Sequence, residues 1–263
     1  MPAPATHLPD PARHRAGIAV MLLCTLLWSS AGVLIRSASV TNGWEMTFWR
    51  SLFLALAILA FLFARRGGLG ARTLIAMGWA GLVSSLAWAV MFTCFILALS
   101  LTTVANTLFI MGVLPFCAAI AGWLFLGERV PARTWIAIAA AAAGIGIMFH
   151  EALRSGNLPG SLIALAIPLA AAANYVAVKR GRVDFVPALL AGGVLSLIAA
   201  LPLAAPFTAG ARDLAVFAAL AVFQLALPGI LFVSYVVPRL SAAEIGLLSL
   251  LEVLLGPLWV WLA

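Results

Sequence analysis

Charge is what this sequence has least of. Only 9% of its 263 residues are Asp, Glu, Lys or Arg, against roughly 25% in a soluble domain. So few ionisable groups cannot clothe a water-facing surface, which excludes a sizeable soluble domain. Histidine is scarce too: His7, His14 and His150 lie in the N-terminal stretch or near a loop, and neither G-x-S-x-G nor H-E-x-x-H occurs. An intramembrane enzyme would need a nucleophile and base, or metal ligands, at membrane depth, and none is present in the pattern. The three cysteines, Cys24, Cys94 and Cys117, sit inside apolar runs without C-x-x-C spacing. They read as packing residues, with neither a disulfide framework nor a metal site indicated. The opening MPAPATHLPDPARHRAG lacks the apolar core and small-residue cleavage site of a signal peptide; residues 1–15 read as a disordered cytoplasmic tail.

What is abundant is hydrophobic sequence, 65% of the chain. Runs of about 20 apolar residues, each able to cross a hydrocarbon core of ~30 Å as helix, recur along its length. The expectation is an all-α polytopic membrane protein with nine spans: 16 to 37, 43 to 64, 73 to 99, 103 to 126, 132 to 149, 159 to 178, 185 to 205, 214 to 237 and 241 to 263. The formal net charge of +7 would suggest nucleic acid in a soluble protein. Here eleven of the fifteen Lys and Arg fall in alternate loops on one side, leaving Arg36, Arg50, Arg154 and Arg212 for the other. That asymmetry places the N-terminus in the cytoplasm and makes the lipid bilayer, rather than nucleic acid, the partner.

The chain also repeats itself. TVANTLFIMGVLPFCAAIAGWLFL from Thr103 and SAAEIGLLSLLEVLLGPLWVWLA from Ser241 align so that Ala105 meets Ala243, Trp123 meets Trp261 and Leu124 meets Leu262. Gly17 and Arg36 bracket the first span as Gly160 and Lys179 bracket the sixth. Five spans per unit is odd, so residues 16–150 and 151–263 are expected to form two inverted repeats, the architecture of secondary transporters. In this register the second unit lacks a tenth span, since the partners of Gly127 and Glu128 would fall beyond Ala263.

Candidate site residues follow from polar groups at membrane depth. Glu252 lies near the middle of the last span, where a carboxylate costs at least ~2.5 kcal/mol and should face the bundle or a wet cavity. Ser241, Ile245, Ser249, Glu252 and Gly256 share one helical stripe. Glu252 either binds a substrate amine or carries a proton, or it is a carboxyl hydrogen-bonded to a neighbouring helix; the residues leave both open. Trp28 and Ser29 with Ser30 in the first span, Asn174 and Tyr175 in the sixth, Trp88 in the third, Asn106 in the fourth, and Gln224 and Tyr235 in the eighth are taken together as lining a midplane cavity. Singly, each is expected to serve helix-to-helix hydrogen bonding. Arg50 is expected to pin the outer end of its span to Glu45 or to a carbonyl, with anion binding as the alternative. Glu244 is expected in a first helical turn at the interface. Pro115, Pro168 and Pro228-Gly229 weaken their helices and serve as kinks or as hinges. The small-residue run Ala139 to Ala143, Gly144 and Gly146 is expected to pack closely or to form a homodimer face.

LLWSSAGVLIR, FWRSLFLALAIL, the link from Ala98 to Asn106, and the Pro115-x12-Glu128 pattern before a Gly-rich fifth span resemble the drug/metabolite transporter superfamily, specifically its EamA group of ten-helix, two-repeat carriers. The resemblance covers nearly the whole chain after the tail. It implies import or export of a small polar metabolite, such as an amino acid or a drug-like molecule, by alternating access, with no bound cofactor. It also implies residence in a bacterial inner membrane with both ends cytoplasmic, and it marks Glu128 as a structural or gating residue. The nine-span count departs from that family. The alternative is a truncated or inactive membrane protein serving as a structural or interaction subunit.

Overall fold

Apolar runs that have no water to bond must satisfy their own backbone, and these do so as helix. The computed structural model describes residues 11–68, 71–136, 139–140, 143–144, 147, 158–181 and 183–262. Seven helices among them are long and apolar enough to cross a membrane, and no strand occurs among the described residues. The protein is an all-α polytopic membrane protein.

The first crossing is α1 (Pro11–Ser29) and α2 (Ala31–Arg36), followed by α3 (Gly43–Arg66) and α4 (Ala71–Leu101). The fourth is α5 (Val104–Met111) and α6 (Leu114–Ala121), which runs on into a π turn, Gly122–Leu126. Then come α7 (Leu158–Arg180) and α8 (Val186–Ala200). The next crossing is α9 (Ala211–Ala219) and α10 (Leu227–Leu231), each followed by a π segment, Leu220–Ala226 and Phe232–Val236. The last helix is α11 (Ala242–Leu262).

Two expectations change. The tail is helical from Pro11, because proline presets the first helical φ and because His14 Nε2 lies 3.1 Å from Glu244 Oε1 on α11; residues 1–10 lie outside the described set. The fourth span is not one continuous helix. It breaks at Gly112 and Val113 and restarts with Pro115 in the first turn of α6, where a missing N–H costs nothing. The fifth span, 132–149, is helical over residues 132–136, and much of its small-residue run lies outside the described residues.

Glycine ends the fourth crossing where the sequence places its charged turn. Gly127 takes φ +68°, and the Glu128 N–H donates to the Gly122 carbonyl at 3.1 Å, a left-handed cap that closes the orphan carbonyls. In α4, Gly78 (φ +54°) breaks a 31-residue run that would be about 46 Å long if straight.

α4 lies between α7 and α8, α3 packs on α8 and on the π segment Leu220–Ala226, and α1 packs on α10 and α11, while α6 contacts α7 and α11. Buried Met21, Leu54, Ile58, Val186 and Leu189 form the apolar centre of this arrangement. Leu22, Leu56, Phe63, Trp79, Leu247 and Leu254 face outward, as a lipid-facing surface requires. Between helices, Ser51 Oγ donates to Ser196 Oγ at 3.0 Å, Ser196 shares a 2.8 Å bond with Thr93, and Ser84 Oγ donates to Asn174 Oδ1 at 2.6 Å.

Candidate functional site: a cavity between the helices

A cavity enclosing about 950 Å³ of atom-free space, its open mouth included, lies at the centre of the bundle. Its walls are aromatic and sulfur-rich: Trp28, Trp88, Phe92, Phe95 and Phe232, with Met21, Met91 and Met111. Trp88 stacks on Phe92 with ring centres 5.3 Å apart, and Trp28 meets Phe232 edge-on at 5.6 Å. The polar groups reaching it are Arg50, Asn174, Tyr175, Gln224, Ser249 and Glu252.

Local structure explains how these side chains arrive there. On α11, Ile245, Ser249 and Glu252 recur at i, i+4 and i+7, so one stripe faces the cavity while Leu247, Leu254 and Leu258 face away. Gly246 lets α11 close on α6, since a Cβ there would stand 2.5 Å from Pro115 Cα. The broken backbone before Pro115 borders the cavity through Met111 and Leu114, a place where interrupted membrane helices are tolerated. The π segments carry Gln224 and Phe232 into the wall.

Arg50 is 1% exposed. Its Nη2 donates to the Phe92 carbonyl and its guanidinium stands 5.8 Å from the Phe95 ring centre, while Nε and Nη1 have no hydrogen-bond partner among the described residues. Arg50 does not pair with Glu45. That carboxylate is fully buried and accepts from the Thr208 and Ala209 N–H groups at 2.7 and 2.8 Å, the Thr208 hydroxyl at 2.8 Å and Trp49 Nε1 at 3.3 Å. The reason is geometric: five residues separate Glu45 from Arg50, so they leave a helix on different faces. Glu252 is partly buried and, among the described residues, has neither a hydrogen-bond nor an ion-pair partner. Trp88 Nε1 and Gln224 Oε1 are buried without hydrogen-bond partners among the described residues.

Of the residues singled out in the sequence, Trp28, Arg50, Trp88, Asn174, Tyr175, Gln224 and Glu252 line the cavity together. Others lie outside its wall. Ser29 accepts from Trp259 Nε1 at 2.9 Å and donates to the Leu26 carbonyl, bracing α1 against α11. Asn106 donates to Thr102 and Ser161 hydroxyls at 3.0 and 2.9 Å, joining α5 to α7. The Tyr235 ring carries the Arg239 guanidinium 3.6 Å above its centre. Glu128 accepts from the Tyr175 hydroxyl at 2.9 Å, just beyond the cavity wall. The Pro228 carbonyl accepts from Cys24 Sγ, and Gly229 seats Leu189, so both serve helix packing. Glu244 caps its own helix through Ser241, whose N–H and hydroxyl donate to it at 2.9 and 2.8 Å. Sequence reasoning missed Met91, Phe92 and Phe95; the signal was their i+3, i+4 and i+7 spacing from Trp88 on one face of α4.

A second groove, lined by Trp79, Val83, Cys117, Leu124, Leu169 and Arg180 among others, is apolar apart from Arg180, whose Nη2 donates to the Phe125 carbonyl. It offers no comparable set of unpartnered polar groups.

The EamA-like transporter family matches residues 15–150, just over half of the chain. No curated protein matches the sequence. A solved crystal structure superposes with a TM-score of 0.68 at 18% identity, covering 95% of this chain and 88% of its own. That likeness concerns the fold alone.

Proposed function

The chain belongs to the EamA-like transporter family, and from that premise we propose that it is a secondary carrier moving a small polar metabolite across the membrane by alternating access. The observation that carries this reading is the central cavity, where Arg50 and Glu252 stand without ion-pair partners among the described residues. An unpaired charge at membrane depth is expensive and is retained where a ligand or ion meets it.

The helix pairing supports an inverted duplication of residues 16–150 and 151–263. Exchanging the halves turns α1 on α10 into α7 on α4, and α1 on α11 into α7 on α6. It likewise turns α4 on α8 into the eighth crossing on α3, while α3 on α8 and α6 on α11 map onto themselves. Two halves so related can exchange inward-open and outward-open arrangements. The end carrying Arg129, Arg133, Lys179 and Arg180, with the N-terminus, is taken as cytoplasmic by the positive-inside bias, in a bacterial inner membrane.

Counterflow into proteoliposomes holding the purified protein, across a panel of amino acids and small drugs, tests the reading. Uptake of at least one compound, reduced tenfold or more in Glu252→Gln, is expected. Uptake no greater than in protein-free vesicles for every compound would overturn it.

A further inference from the structure

We propose that the outer groove between α4, α6 and α7 holds one anionic phospholipid from the leaflet at the basic end, with an acyl chain along its floor and the headgroup phosphate on Arg180. The groove shares no lining residue with the central cavity and is independent of what that cavity carries.

Helical stripes of small residues make the groove. On α7, Leu169, Ala172, Ala173, Val176, Ala177 and Arg180 recur at i, i+3, i+4, i+7, i+8 and i+11, so they share one face of the helix. On α6 and its π turn, Cys117, Ile120, Ala121, Leu124 and Phe125 repeat that spacing opposite them. Trp79, Ala80 and Val83 of α4 complete the wall. Alanine keeps the floor low: Ala121, Ala172 and Ala177 are buried, while Trp79, Leu124, Phe125 and Leu169 stand exposed at the rim. The groove encloses about 1060 Å³ of atom-free space, its open side included. From Leu169 to Arg180 the floor runs about 16 Å at 1.5 Å per residue. That is about half of a ~30 Å hydrocarbon core, the depth of one leaflet.

Arg180 marks the headgroup end. It closes the α7 stripe in an exposed position, its Nη2 donating to the Phe125 carbonyl and its guanidinium 5.9 Å from the Phe125 ring centre. These contacts hold the planar fork at the groove mouth, and no carboxylate pairs with it among the described residues. Phosphate oxygens match such a fork. Lys179 beside it turns the other way, to the Val237 and Leu240 carbonyls. Exposed Arg72, Arg129 and Arg133 lie at the same end, and a basic pocket between membrane helices is the chemistry that takes an anionic headgroup. No acidic residue stands among the lining residues, so the ammonium of a zwitterionic headgroup meets only cations there. A second copy of this chain would have to bring Arg180 a carboxylate. The described carboxylates at this end are already engaged: Glu128 by Tyr175, Asp184 by Arg65, and Glu244 by Ser241 and His14.

Native mass spectrometry of the full chain released from detergent tests this with two lipids of identical acyl chains, anionic dioleoylphosphatidylglycerol and zwitterionic dioleoylphosphatidylcholine. The first phosphatidylglycerol should bind at least about fivefold more tightly than the first phosphatidylcholine, the worth of one basic group against an anionic headgroup. Arg180→Gln should abolish that preference. Arg129→Gln, at the same end but outside the groove, should leave it intact. Ala173→Trp, which fills the groove from an exposed position, should weaken the first phosphatidylglycerol to a similar degree with Arg180 still in place. If Ala173→Trp does not fold, the comparison of Arg180→Gln with Arg129→Gln decides alone, since each is read as a ratio between lipids. Equal binding of the two lipids, or phosphatidylglycerol binding untouched by Ala173→Trp, would overturn the proposal. A loss in Arg129→Gln as large as in Arg180→Gln would also overturn it, by showing attraction to the basic surface at large. So would a dimer that Ala173→Trp dissociates with lipid binding unchanged, which would seat a second copy in the groove.

Discussion

The two ends of the cavity are fastened by different chemistry. At the end away from the basic loops, buried carboxylates of each half grip backbone and hydroxyls of the other. Glu45 takes the Thr208 and Ala209 N–H groups and the Thr208 hydroxyl. Asp213 takes the Ser39 N–H at 2.7 Å and its hydroxyl at 2.6 Å. At the basic end, among the described residues, the halves meet through side-chain contacts that include Tyr175 to Glu128, Arg180 to the Phe125 carbonyl, His14 to Glu244 at 3.1 Å and Arg65 to Asp184 at 3.4 Å. Lys179 donates to the Val237 and Leu240 carbonyls, and Arg239 to the Tyr235 carbonyl, within the second half. Multidentate buried acceptors resist exchange with water, whereas lone, partly exposed bonds trade readily with it. On the bonds of the described residues, the basic end is expected to loosen first.

That contrast is broken most directly at Glu45. Glu45→Ala removes a buried carboxylate and its charge-assisted bonds to the Thr208–Ala209 segment, a cost of about 3 kcal/mol, and should lower the thermal midpoint of the purified protein by roughly 6–12 °C. A shift no greater than that of the Tyr175 variant below would show the ends to be equally fastened. Next in size is Gly127→Ala, which forces an L side chain into the φ +68° cap and should cost ~1–2 kcal/mol, seen as a smaller loss in the same melt. Tyr175→Phe removes one hydroxyl bond to Glu128, worth about 1 kcal/mol. It should lower the midpoint by ~2–4 °C, and it should also speed maleimide labelling of an Ala171→Cys probe in the cavity wall. Unchanged labelling would mean that Glu128 and Tyr175 do not guard the cavity. Smallest is Arg65→Gln. Arg65 is half exposed, so its pair with Asp184 is worth well under ~1 kcal/mol and the melt should not move measurably.

Individual residues show what a sequence can and cannot reveal about such a site. Glu252 was legible because a carboxylate in the middle of an apolar run has so few affordable environments, and the helical stripe around it gave its direction. Trp28, Trp88, Asn174 and Gln224 were legible for the same reason, as polar or amphipathic groups at depth. For Arg50 the sequence left Glu45 and a carbonyl open as partners; it meets the Phe92 carbonyl, and nothing local shows that the loop at Thr208 and Ala209 captures the Glu45 carboxylate across 163 residues of chain. Asn106, Ser29 and Tyr235 look identical in sequence to the cavity residues. Their partners, Ser161, Trp259 and Arg239, are what set them apart. Phe92 and Phe95 went unnoticed because an aromatic stripe on a membrane helix serves lipid or core equally well.

Hydrophobicity and length by themselves determined that this chain crosses a membrane as helices, because a backbone in hydrocarbon has no other way to satisfy its own polar groups. The placing of glycine at 127 likewise fixed where the fourth crossing ends. Which polar side chains meet in one cavity, and which are spent joining helices, was decided only by tertiary packing. Those bonds link residues far apart in the chain, and their energies depend on the angle at which helices meet rather than on any local pattern.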